Sequence, residues 1–184
     1  MSFHFYLSDG SRSFLANDRR ASDENLVDKI LPAGDGFVSC TGCINFARSY
    51  AQWAGSQARI DFATSAAFCR RAWPEMSAGF AERDKPEGWQ NIHLIVTHKG
   101  GVYSINHHPD GGDNFQHYAI DNFVCNRLAE NDLQIVRKHL RSADLNNMTV
   151  VCDRLYRELH EINYRVSAEW QGYASSDFHS RRTQ

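Results

Sequence analysis

Two cysteines three positions apart, Cys40 and Cys43, stand directly ahead of a stretch with helical apolar spacing, 44–55. A thiol at a helix start faces unpaired backbone N–H groups and the positive end of the helix dipole. Both favour the thiolate, which is the attacking form. A thiol hydrolase also needs a histidine to shuttle its proton and a polar group to hold that histidine. His93 opens the strongest strand pattern in the chain, 91–97, and the return strand, 102–107, ends in Asn106 and His107 with His108 following. In a hairpin the start of one strand lies opposite the end of the next, so His93 is expected beside Asn106 or His107. The residues thus predict Cys40 as nucleophile, His93 as base, and His107 or Asn106 as the orienting group. The backbone N–H of Cys40 would help to hold the oxyanion.

Cys40-Thr41-Gly42, followed by an amphipathic helix ending in Ala54-Gly55, resembles the nucleophile motif of the NlpC-type, papain-like cysteine amidases. In that family a histidine opens a strand about fifty residues after the cysteine, and a second polar residue ends the next strand. Here His93 follows Cys40 by 53 positions (93 − 40), and His107 ends the following strand. The likeness spans residues 36–108. The chain departs from the family at Ser39, where Asp is usual, at Cys43, where a bulky apolar residue is usual, and at Ile92, where a small one is. The resemblance implies thiol-dependent hydrolysis or transfer at an amide or acyl carbon. The substrate would be a peptide or protein, such as bacterial cell-wall peptide, with no cofactor. A phage lysis product, an injected antibacterial effector or a cytosolic protein amidase would each suit it.

Other readings of the same residues stay open. Cys40 could be a small buried residue at a strand–helix junction. Cys40 and Cys43 form a Cys-x-x-Cys of redox type, although the proline that such a site needs at the next central strand is missing, since positions 91–93 are Asn-Ile-His. Zinc would need a second close pair, and Cys69, Cys125 and Cys152 stand singly. A non-enzymatic binding protein (an inhibitor, immunity or phage-type partner binder) is the competing class. It would use the apolar stripe Met148, Val151, Leu155, Leu159, Ile162, Val166 and Trp170, on a helix expected over 147–170.

The supporting elements follow from the same patterns. A strand is expected over 3–7 and a helix over 23–31 with Ser22 as N-cap. Phe37-Val38 reads as extended, and a helical region follows over 65–82. The predicted fold is α+β. A small antiparallel sheet carries the nucleophile helix in papain-like fashion, and a C-terminal helical pair packs on it. The boundaries are 1–120 for the α+β core, 121–171 for the helical hairpin and 172–184 for a flexible tail. A net charge of −2 with no long basic run argues against nucleic acid. No apolar run approaches the roughly 18 residues that a membrane span requires. The N-terminus lacks the basic and apolar segments of a cleavable signal. Together with five cysteines, an odd number, this predicts a cytoplasmic protein with free thiols, or one exported without a cleavable signal.

Overall fold

The computed structural model describes residues 2–20, 25–79, 90–98, 101–107, 116–119, 122–126, 128–141 and 143–175. Among the described residues, nine strands form two antiparallel sheets. The first holds β1 (His4–Ser8), β2 (Ser13–Asp18), β8 (Phe123–Cys125) and β9 (Trp170–Ser175), in the order β8-β1-β2-β9. The second holds β3 (Ile30–Ala33), β4 (Gly36–Thr41), β5 (Ile92–His98), β6 (Gly101–His107) and β7 (Gln116–Ala119), in sequence order. Helices α1 (Ile44–Ser56) and α2 (Phe62–Ala78) cover the second sheet, and α3 (Glu130–Leu140) and α4 (Met148–Ile162) cover the first.

Alternation along the strands creates three apolar layers, because successive side chains point to opposite faces. Val38 and Cys40 of β4, Ile92, Leu94 and Val96 of β5, and Tyr103 and Ile105 of β6 meet Phe46, Tyr50 and Trp73 of the covering helices. Phe3, Phe5, Phe14 and Ala16 meet Val136, Met148, Leu155 and Leu159 on the opposite outer face. Between the sheets, Tyr6 and Leu15 pack on Ile30 and Ile95. The molecule is a four-layer sandwich of helices, sheet, sheet and helices.

Several expectations hold and several do not. The hairpin of β5 and β6 is present, and its register sets His93 opposite Asn106. The α1 helix and the helices around Leu133–Leu140 and Met148–Leu159 are present. The helix expected over 23–31 is not: Leu26 bridges Arg20, and Ile30 begins a strand. The chain has two sheets, whereas the sequence predicted only a single small one. β2 escaped notice because all six of its residues are buried, which erases the alternating polar face. The helix expected to reach Trp170 stops at Ile162, and Trp170 starts β9 instead. There Trp170 still serves the same apolar layer, stacking over Tyr156 at 6.1 Å. The turn at Lys99-Gly100, His108 and the tail beyond 175 lie outside the described residues.

Ile95 tests the sandwich directly. It is fully buried only because the first sheet covers its face. Ile95→Ala should cost about 2–5 kcal/mol in urea unfolding. A loss below about 0.5 kcal/mol, as for a surface position, would contradict a covered face.

Candidate functional site

Cys40 lies inside β4 and not at a helix start; α1 begins at Ile44, with Cys43 as its N-cap residue. Thr41, Gly42 and Cys43 therefore separate the Cys40 thiol from the helix dipole. Cys40 sits opposite Leu94, and Thr41 opposite His93. By the alternation of the strand, Cys40 and His93 face opposite sides of one sheet. Cys40 is 1% exposed among the helix-facing apolar residues. Burial pushes its thiol up to about 12, against a smaller downward pull from Lys29. The sheet thus divides the expected nucleophile from its expected base. His107 is also displaced: it lies opposite Ile92 on the helix-facing side, its ring 5.4 Å from that of Trp73. Asn106 does lie opposite His93.

His93 faces the first sheet, and there it joins a polar group that the sequence did not reveal. His93 Nδ1 meets Nε2 of His4. His4 Nδ1 hydrogen-bonds Ser39 Oγ at 2.9 Å. Asn17 donates to the same Ser39 Oγ at 2.9 Å and to the carbonyl of Cys40 at 2.7 Å. One end of the space between the sheets is thus apolar and the other polar. Burial, with help from nearby His93 and Lys29, holds His4 well below the usual histidine value.

At this polar end stand three residues with more chemical potential. Lys29 Nζ donates to Ser2 Oγ at 2.7 Å. The same Nζ lies 3.3 and 3.2 Å from the two carboxylate oxygens of Asp18. The lysine and aspartate side chains are 6% and 0% exposed, so this is a dry ion pair. Asp18 also accepts from the backbone N–H of Phe3 at 2.9 Å and of Ser167 at 3.4 Å. Burial pushes the Asp18 carboxyl up, while the ammonium and the N–H groups pull it down. Asn126 completes the cradle: its amide donates to the carbonyl of Ser2 at 2.9 Å and accepts from the N–H of His4 at 2.9 Å.

Each of the three sits at a strand end. Ser2 lies two residues before β1, Asp18 is the last residue of β2, and Lys29 directly precedes β3. A lysine beside a serine hydroxyl is a recognised way to activate it. Sequence reasoning missed all three. Ser2 looked like an ordinary chain end, and Asp18 fell in an unassigned stretch. Lys29 was absorbed into the helix expected over 23–31, with nothing in the spacing to link it to the others.

No family profile and no curated protein sequence matches the chain. Solved structures do resemble it. Thiobacillus denitrificans BPH matches with a TM-score of 0.62 at 14% identity, over 95% of this chain and 97% of that one. Anbu (ancestral beta-subunit) from Yersinia bercovieri matches with a TM-score of 0.64 at 12% identity, over 96% and 83%. Eukaryotic HslV from Trypanosoma brucei matches with a TM-score of 0.57 at 13% identity, over 94% and 98%. These solved structures have the Ntn-hydrolase fold, and the two-sheet α+β architecture of this chain is similar to theirs. This overturns the NlpC-type, papain-like resemblance. The motif Cys40-Thr41-Gly42 marks the end of a strand in a two-sheet sandwich, where a glycine is needed for a different reason. Gly42 has φ +90°, and a Cβ there would come within 2.4 Å of the Asn91 carbonyl.

Two measurements follow. In the native protein Cys40 should resist iodoacetamide and be modified only once denaturant opens the helix-facing layer, as peptide mapping would read. The depressed His4 pKa gives a second test. A histidine kept neutral in the fold contributes stability above its unfolded value of about 6.5, and that contribution is lost as the pH falls below it. The loss is at most about 1.4 kcal/mol per pH unit for one proton. His4→Gln should therefore show a flatter fall in urea stability than the unaltered protein between about pH 6.5 and 5.

Proposed function

We propose that the protein is a peptide hydrolase in which the hydroxyl of Ser2 is the nucleophile. The observation that carries this reading is Lys29 Nζ at 2.7 Å from Ser2 Oγ, with the lysine itself held by buried Asp18. A dry lysine–aspartate pair contributes little net stability, since desolvation offsets the attraction. Its presence at a hydroxyl is therefore better accounted for by chemistry. Further support comes from the fold, which is shared with HslV and Anbu, peptidases of the threonine type. One neighbour, Thiobacillus denitrificans BPH, holds epoxomicin.

In this reading, hydrolysis of the bond before Ser2 frees its α-amine. The amine then serves as base, as in sites where a hydroxyl is paired with a terminal amine. Oγ attacks the carbonyl carbon of a peptide bond, and its proton passes to the amine. The Lys29 ammonium, fixed by Asp18, stabilises the charge that develops on Oγ. The tetrahedral intermediate collapses, the proton moves to the leaving nitrogen, and a Ser2 ester remains. Water, deprotonated by the same amine, attacks the ester and releases the acid. Cys40 takes no part.

The test is made on the purified full chain. Mass spectrometry should find Ser2 as the first residue. Ser2→Ala leaves the ion pair intact and should lower peptide hydrolysis by about 1,000-fold or more. Retained hydrolysis in Ser2→Ala would sink the proposal. Lys29→Met alone strands a buried carboxylate and should lose about 3–5 kcal/mol. The double variant Lys29→Met/Asp18→Leu should recover most of that stability and remain inactive. Recovered activity in the double variant would remove Lys29 from the mechanism.

A further inference from the structure

The side chain of Gln171 makes an unusual set of bonds. Its Oε1 accepts from two successive backbone N–H groups, those of Lys29 at 3.0 Å and Ile30 at 3.1 Å. Its Nε2 donates to the carbonyl of Ile30 at 3.3 Å, and lies 3.5 Å from the hydroxyl of Tyr173. Gln171 belongs to β9, at an edge of the first sheet, and β3 is an edge of the second. One amide therefore ties two sheet edges together, next to the lysine.

The tie closes a ring. Gln171 stands opposite Asn17 in the pairing of β2 with β9, so its backbone is registered to the residue before Asp18. Its side chain grips the N–H of Lys29, whose carbonyl accepts from Cys40 N at 3.1 Å. Lys29 Nζ then returns to Asp18. Every link but one is a backbone ladder or the ion pair itself. The exception is the Gln171 amide.

We propose that Gln171 is a positioning residue that sets where Lys29 meets Ser2 Oγ, an inference that rests on Ser2 being the nucleophile. Without the amide, the backbone at Lys29 loses its anchor to the first sheet, while the cradle of Asp18 stays where it is. The ammonium then moves relative to Oγ. Misplacement by about 1 Å at a reacting group costs about 100-fold in rate. The field of Lys29 on the Ser2 amine weakens as well. A nearby cation lowers the pKa of an amine, so moving it away raises the pH at which the amine becomes a base.

The experiment needs no knowledge of the substrate. Sulfonylation of Ser2 by phenylmethanesulfonyl fluoride is followed by peptide mapping between about pH 6 and 9, spanning the ordinary range of an α-amine. Three variants are compared on the full chain. Gln171→Asn keeps the amide but is one methylene too short. Gln171→Leu removes it. Gln171→Glu keeps an oxygen that can accept both N–H groups and loses the Nε2 donation to the Ile30 carbonyl.

Asn and Leu should slow the labelling about 10–100-fold and move its midpoint to higher pH, while Glu stays within a few-fold of the unaltered protein. A purely structural clamp would lower the melting temperature of the variants but leave the rate and midpoint of the folded protein unchanged. That result overturns the proposal. If Gln171→Leu does not fold, the contrast between Asn and Glu decides, and equal rates in the two overturn it. Absence of Ser2 labelling in the unaltered protein would instead remove the nucleophile reading, and this inference with it.

Discussion

The ion pair between Lys29 and Asp18 is the constraint to which the surrounding structure answers. An ammonium and a carboxylate without water cost several kcal/mol per ion unless their partners are already in place. Here the partners come from four separate parts of the chain. The N–H of Phe3 arrives with the entry to β1, and that of Ser167 with the segment between α4 and β9. The β3–β4 side supplies the fixed peptide of Lys29, and β9 supplies Gln171. The β2 strand places Asp18 itself, whose own N–H bonds the carbonyl of Phe3 at 3.0 Å. None of these donors is close in sequence to the pair as a whole. The pair can exist only once both sheets have formed and met, so the site is a product of the complete sandwich.

The layer between the sheets is divided to suit this. At one end, Tyr6, Leu15, Ile30 and Ile95 exclude water and hold the sheets together. At the other, His4, Asn17 and Ser39 link the two sheets through hydrogen bonds. A neutral His4 can serve as both donor and acceptor there, which a charged ring could not. Its low pKa and the fixed ammonium of Lys29 belong to one arrangement, in which a single buried positive charge is kept beside the hydroxyl and a second is discouraged.

The sequence made some of this legible and hid the rest for physical reasons. The hairpin of β5 and β6 was readable because its residues are β-branched and apolar on both sides of a glycine turn. The helices were readable because each buries one face only, as the spacing Met148, Cys152, Leu155 and Leu159 shows. The strands β2 and β9 were not, since neither alternates in a way that separates it from its neighbours. The three residues at the candidate site were illegible because each is ordinary alone. Ser2, Asp18 and Lys29 form no motif and share no helix face. Cys40 drew attention because cysteine is rare and reactive in principle, yet burial in the helix-facing apolar layer leaves it a small apolar residue. A reactive residue type is a weaker signal than an expensive environment, and the environment is visible only in three dimensions.

Strand ends explain why such ordinary residues can form a site. A side chain on a loop can wander, whereas one at the end of a paired strand inherits the position of the ladder. Ser2 leads into β1, which is flanked by β2 and β8 within its sheet, and Asn126 pins both its carbonyl and the next residue but one. Asp18 closes the strand that pairs with β1. Lys29 alone leads into an edge strand, β3, which among the described residues pairs on one side only, with β4. That is the position at which an extra tether matters most, and it is the position that the Gln171 amide occupies. The weakest point of the frame and the additional bond therefore coincide. An edge residue that had only to close the sandwich could do so anywhere along β3, but this one grips the peptide of the lysine whose ammonium meets the hydroxyl.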